Sequence, residues 1–145
     1  MKEKYDVPIA PESEFVSYMM EQMSQFGLPC TEEQAKDFYM YYARMIETNK
    51  YLNLTGITDM KEVVVKHMID SLSCYDPNII KSGMSIIDVG TGAGFPGIPL
   101  AIYDRSLKVT LFDSLKKRLT FLESVMDELQ LTNCTTLHGR AEDLS

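Results

Sequence analysis

Twelve consecutive residues constrain this chain more than any others: Ile86-Ile87-Asp88-Val89-Gly90-Thr91-Gly92-Ala93-Gly94-Phe95-Pro96-Gly97. An apolar run, a cluster of glycines and a proline at the first turn of a new segment predict a buried strand, a tight turn and a helix start. Glycine lets the turn take backbone angles closed to other residues and lets a ligand lie against the main chain. The helix start behind the turn offers N–H groups without intrahelical partners. Asp88 sits two positions before the first glycine, and Asp113 ends the next strand candidate, Val109-Thr110-Leu111-Phe112. Two acids at the carboxyl ends of neighbouring parallel strands, with a glycine turn between strand and helix, describe a pocket for a nucleoside-containing cofactor.

The rest of the chain is read around that unit. Residues 1–10 read as a loose start because Pro8 and Pro11 discourage helix. Phe15, Met19, Met23 and Phe26 recur at helical spacing over Glu12 to Phe26, and Gly27 and Pro29 stop that helix. Thr31 and Gln34 form a capping-box signature for a helix from Glu32 to about Lys50, with Phe38, Tyr41, Tyr42, Met45 and Ile46 as its buried stripe. Asp59 and Glu62 open a third helix running to about Ser73, with Val64, Val65, Met68, Ile69 and Leu72 on its apolar side. Strands are expected over Met84–Val89, Lys108–Phe112 and around Thr135–Leu137, and helices over Gly97–Tyr103 and Lys116–Gln130. Strand–helix–strand order implies parallel pairing with right-handed crossovers. The expected organisation is therefore a helical extension over residues 1–80 and an α/β unit over 81–145.

A doubly wound sheet places later strands on the far side of the first one. Here only eight residues follow Leu137, so the apolar first strand is expected to present an open edge. The expectation is an amino-terminal piece of a longer fold, or a chain that self-associates through that edge.

Composition excludes several classes. The net charge of −7 argues against a broad basic face for nucleic acid. The acid concentrates in the first 80 residues, and Lys116, Lys117 and Arg118 form the one compact basic candidate. Cys30, Cys74 and Cys134 show no metal-ligand spacing, and with His67 and His138 far apart a metal site is not expected. Three unpaired thiols, and a start (Met1 to Asp6) without the apolar stretch of a leader, suggest a cytoplasmic protein, and no apolar run approaches a membrane span.

The glycine loop can be parsed in two ways. Gly90, Gly92 and Gly94 make G-x-G-x-G behind Asp88, whereas Gly92, Gly94 and Gly97 make the G-x-G-x-x-G of dinucleotide sites. Asp113 serves either, because both pockets need an acid for ribose hydroxyls. Asp88 favours the first, because a carboxylate beside the turn repels a pyrophosphate and suits a cationic amine. S-adenosyl-L-methionine carries such an amine together with a sulfonium. A plain tight turn is the bland alternative for the glycines, as a helix cap is for Asp113.

The chain resembles the RsmG (GidB) family of small-subunit ribosomal RNA methyltransferases. The resemblance rests on Asn53-Leu54-Thr55, on Lys66-His67-Met68-Ile69-Asp70-Ser71, and on Asp88 through Leu100 with its Pro96 and Pro99. It continues through Asp113-Ser114-Leu115-Lys116-Lys117-Arg118 and Gly139-Arg140-Ala141-Glu142. It implies a class I methyltransferase (Rossmann-like) sheet, incomplete here, with a helical N-terminal extension. It implies transfer of a methyl group from S-adenosyl-L-methionine to N7 of a guanine, with ribosomal RNA or a pre-ribosomal particle as partner. By that similarity Gly90 and Phe95 line the cofactor, Asp113 takes the ribose hydroxyls, and Ala141 and Glu142 hold the adenine. The family continues with a Ser-Arg-Ala segment and further strands that this sequence does not contain.

Guanine N7 carries a free lone pair, so methylating it needs no base. That agrees with the lack of an obvious catalytic dyad. His67 and Asp70, three apart on one helix, are candidates either to hold RNA or the cofactor edge, or to tie the helices to the sheet. Lys66, Lys116, Lys117, Arg118 and Arg140 are candidate phosphate contacts. The alternatives are a noncatalytic RNA- or partner-binding module and a nicotinamide-dependent oxidoreductase.

Overall fold

A computed structural model describes residues 7–144. The Met1–Asp6 segment, and with it most of the expected loose start, lies outside the described residues. Helix α1 spans Glu12–Phe26 and ends as the glycine predicts: Gly27 is left-handed, and the Leu28 amide donates to the Met23 carbonyl. Helix α2 spans Glu32–Thr48 behind a complete Thr31–Gln34 capping box. Its end falls two residues before the expected Lys50 because the Asn49 side chain turns into the following loop. There the Asn49 Oδ1 accepts from the Leu54 amide (2.8 Å) and the Thr55 amide (3.1 Å), and its Nδ2 donates to the Thr55 carbonyl (3.0 Å).

The third helix is one rod in three contiguous parts. α3 covers Met60–Glu62, a π-helical segment covers Val63–Ile69, and α4 covers Asp70–Leu72. The Asp70 amide donates back to the Val65 carbonyl, the five-residue spacing of a π turn. This wider turn alters the expected apolar side. Val63 is buried together with Val64, Met68 and Leu72, whereas Val65 is exposed.

Strands β1 (Ser85–Val89), β2 (Lys108–Asp113) and β3 (Cys134–His138) form a parallel sheet in the order β1-β2-β3. Helix α5 (Gly97–Tyr103) links the first two strands and α6 (Lys116–Leu129) the last two. Right-handed crossovers in a sheet that grows in one direction put both helices on the same face. The register shows which face that is. Ile86, Val109 and Cys134 stand in one row and Asp88 beside Leu111 in the next, and most of these are buried. Ile87, Val89 and Leu137 point the other way and are about half exposed (48%, 47% and 44%). Phe112 shares that second face but is buried, because the chain at Gly139 folds over its ring.

Helix α2 packs on α5 and α6, and α1 packs on α2, so the helices add a further layer over the covered face. One continuous core runs from Phe15 and Met19 through Phe38, Tyr41 and Met45 to Ile98, Leu111 and Leu122. Arg44 of α2 pairs with Glu128 of α6, and Arg105 reaches Asp37 at 3.0 Å. None of the described helices is long and apolar enough to cross a membrane.

The glycine turn is built into this core at Gly94. Its φ is +108°, and a Cβ there would lie 2.7 Å from the Tyr41 hydroxyl and 2.8 Å from both Ile98 Cγ1 and Leu122 Cδ2. Gly94→Ala combines backbone strain with overpacking, a cost of at least about 3 kcal/mol. Thermal unfolding should show a drop in Tm of about 10 °C for a protein of this size. Cys134 offers a second check. Burial under α6 pushes its thiol from 9.0 up to about 12, whereas Cys74 is exposed. At pH 8 iodoacetamide should alkylate Cys74 and spare Cys134 until denaturant is added, as mass spectrometry would report. Because the unfolded thiol ionises near 9.0 and the folded one near 12, Cys134 contributes a loss of stability as pH climbs through that window. The loss should be smaller in Cys134→Ala.

Candidate functional site

The candidate site sits at the carboxyl ends of β1 and β2, where the loop Gly90–Pro96 turns into α5. Asp88 is buried, and its Oδ2 accepts two hydrogen bonds, from the Thr91 hydroxyl (2.7 Å) and from the Gly97 amide (2.9 Å). One oxygen thus ties the strand end, the loop and the first amide of α5 together. The other oxygen has no hydrogen-bond partner among the described residues. Burial raises the Asp88 carboxyl above the ordinary aspartate range. The bonds from Thr91 and Gly97 pull it back, and the nearby Asp113 adds to the rise.

Asp113 is buried as well, and both of its oxygens have partners. Its Oδ2 accepts from the Gly92 amide at 2.9 Å, its Oδ1 accepts from the Leu115 amide at 2.8 Å, and Arg118 approaches Oδ1 at 3.6 Å. The side chain therefore braces the entry to α6 and also holds the glycine loop. The loop closes on β2 through two more bonds, from the Gly90 and Thr91 amides to the Phe112 carbonyl at 2.8 and 3.0 Å.

The glycines divide into two pairs. Gly94 and Gly97 face protein: a Cβ on Gly97 would lie 2.4 Å from Leu111 Cδ2 and 3.0 Å from the Asp88 carboxylate. Gly90 and Gly92 have φ of +70° and +59° and face open space. Gly97, which the dinucleotide parse required, is thus explained by close packing of α5 on the sheet. The α5 amide that a diphosphate would use is already taken by Asp88.

Phe95 is half-buried and lies between two rings. His67 stacks on it with centroids 4.3 Å apart and planes 11° from parallel, and Tyr41 flanks it at 5.4 Å. The Tyr41 hydroxyl donates to the Ala93 carbonyl at 2.6 Å, and full burial holds that phenol well above its ordinary range. Sequence reading placed Tyr41 in the core stripe and missed its bond into the loop. It also missed Asn49 and Thr91. A polar residue at the end of a predicted helix was the only local sign of Asn49.

Ala141 and Glu142 lie in the 3₁₀ turn Ala141–Leu144 just beyond β3. They are exposed and on the same edge as Asp113, whose carbonyl accepts from the Gly139 amide at 3.2 Å. Among the candidate cations, Lys66 pairs with Glu62 at 3.2 Å and Arg140 with Glu142 at 3.9 Å, both on the surface. Lys116 and Lys117 are exposed at the start of α6, while Arg118 turns inward to Asp113. His67 faces Phe95 and Thr55 rather than solvent, and Asp70 is exposed. Burial lowers the His67 pKa below the ordinary histidine range, and the nearby Asp70 charge partly offsets this. Among the described residues no group of three or more His, Cys, Asp or Glu could hold a metal ion.

A model of the GidB family, described as rRNA small subunit methyltransferase G, matches residues 34–145. A protein named ribosomal RNA small subunit methyltransferase G from Leuconostoc mesenteroides is 45% identical over 127 residues, covering 86% of this chain and 53% of the relative. Proteins of the same name from Lachnoclostridium phytofermentans (45% over 127 residues) and Thermoanaerobacter sp. (47% over 129 residues) align across 88% and 89% of this chain and 52% and 54% of their own lengths. The chain spans about half the length of the curated relatives it matches. With its acid-flanked glycine loop at the edge of a parallel α/β sheet, the chain belongs to the GidB family of small-subunit rRNA methyltransferases.

Proposed function

We propose that this chain holds the methyl donor, S-adenosyl-L-methionine, in an enzyme that methylates N7 of a guanine in small-subunit ribosomal RNA. In this reading the α/β unit is residues 81–145, and the helices of residues 1–80 are an extension packed on it. The substrate is the RNA, free or in a pre-ribosomal particle, and the work belongs in the cytoplasm. The observation that carries the reading is the pair of buried carboxylates, Asp88 and Asp113, around a loop whose Gly90 and Gly92 face open space. Two acids there disfavour a diphosphate and favour a cation. The Asp88 oxygen without a partner among the described residues suits the amine, Gly90, Gly92 and Phe95 would line the cofactor, Gly94 shapes the loop from the core side, and Asp113 would take the ribose. Ala141 and Glu142, at the same edge, would meet the adenine.

When bound, the cofactor supplies a methyl group on a cationic sulfur. The chain's residues need only position the reactants, because N7 already has its lone pair. Lys116 and Lys117 are the exposed candidates for RNA phosphates, with Lys66, Arg118 and Arg140 as ion-paired seconds. Such contacts set register rather than read bases.

Calorimetry on Asp88→Asn tests the reading. The asparagine oxygen can still accept from Thr91 and Gly97, and the cost of burying a charge disappears, so Tm should hold or rise slightly. S-adenosyl-L-methionine affinity should fall by tenfold or more, about 1.4 kcal/mol. The parent chain should bind this ligand and not NAD. Affinity for NAD alone, or unchanged S-adenosyl-L-methionine affinity in Asp88→Asn, would overturn the assignment.

A further inference from the structure

We propose that His67 is a positioning residue for the cofactor loop: held at Nε2 by Thr55 and stacked on Phe95, its imidazole sets the Phe95 ring and the turn from Thr91 to Phe95. The proposal rests on the function proposed above only in giving that turn a cofactor to hold.

The chain of contacts is continuous and each link is directional. The Thr55 hydroxyl lies 2.8 Å from His67 Nε2 and accepts from the Ile57 amide at 3.0 Å. Thr55 itself is fixed at both backbone groups by the buried Asn49 amide. On the other side of the imidazole, the Phe95 ring lies nearly parallel at 4.3 Å. Phe95 is joined to the turn by its own amide, which donates to the Thr91 carbonyl at 3.2 Å, and Gly94 donates to the same carbonyl at 2.9 Å. Thr91 in turn is bonded to Asp88. An unbroken path therefore runs from the 49–57 loop through His67 to the acid at the end of β1.

A residue that merely filled space would not need this geometry. Stacking orients a ring face to face, and a bond at the ring edge stops it from swivelling; leucine or methionine could supply neither. The π segment carries the residue, and its extra-wide turn buries Val63, Val64 and Met68 while His67 faces Phe95. Irregular turns of this kind recur at functional sites. A catalytic role is not implied: among the described residues the imidazole meets the loop through Phe95, and methylation at N7 has no proton to remove.

The test uses His67→Leu, which removes both contacts, His67→Phe, which keeps a ring without the bond, and Thr55→Val, which removes the hydroxyl alone. Amide hydrogen exchange of the ligand-free protein is followed at Gly94 and Phe95, with Leu111 in β2 as the reference. His67→Leu should speed exchange at Gly94 and Phe95 by tenfold or more and leave Leu111 unchanged. His67→Phe and Thr55→Val should fall between it and the parent. In calorimetry, S-adenosyl-L-methionine affinity should decline in the same order. Equal acceleration at all three amides, or no change at Gly94 and Phe95 in any variant, overturns the proposal and leaves His67 a packing residue. Failure of the parent to bind S-adenosyl-L-methionine would instead count against the function proposed above, while the exchange data still decide the role of His67.

Discussion

One carboxylate oxygen organises this protein. Asp88 Oδ2 receives the Thr91 hydroxyl and the Gly97 amide, so a strand, a loop and a helix converge on a single anion. The geometry explains why the acid must be buried. The first amide of α5 has no intrahelical partner, and a carboxylate satisfies it while complementing the positive end of the helix. Burial raises the carboxyl's pKa, and the two hydrogen bonds recover part of that cost. From this point the loop can take only one course. It turns back to the Phe112 carbonyl, is caught by Asp113 at Gly92, and enters the core at Gly94.

Both acids therefore hold the course of the loop. By charge alone, Asp88 favours a cation over a diphosphate. In the fold its carboxylate is divided, with one oxygen bonded inward and the other without a partner among the described residues. Asp113 is even more committed, with both oxygens engaged by the chain. Each of its oxygens accepts one backbone amide and keeps a second lone pair, so the carboxylate can hold the loop and still accept a further donor.

Much of this was legible in the sequence because its signals were local. The capping box at Thr31, the glycine stop at Gly27 and the span of α5 depend on residues a few positions apart, and the parallel order of the strands follows from the alternation of strand and helix. The covering of the sheet was not legible: the apolar run from Ile86 to Val89 reads as a buried strand, but the helices after β1 and β2 both fall on one face and leave Ile87 and Val89 about half exposed. What could not be read was set by contacts across the fold. The Tyr41 hydroxyl meets Ala93 across 52 positions, and a buried tyrosine in an apolar stripe gives no hint of where its hydroxyl goes. The π turn was invisible for a different reason: Val63 to Ile69 fits an α-helical pattern well enough that only packing decides which valine turns outward.

That turn bears on how the segment tolerates insertion and deletion. Losing one residue from an ordinary α-helix swings everything beyond the gap by about 100° around the axis. A π turn already contains a surplus residue, so excising Val65 would let the backbone tighten to α geometry while Met60 and Leu72 kept their facing. The scaffold would survive the shortening, and the imidazole would rotate off its aromatic partner. In this rod, length variation is far more consequential for the ring it presents than for the helix that carries it.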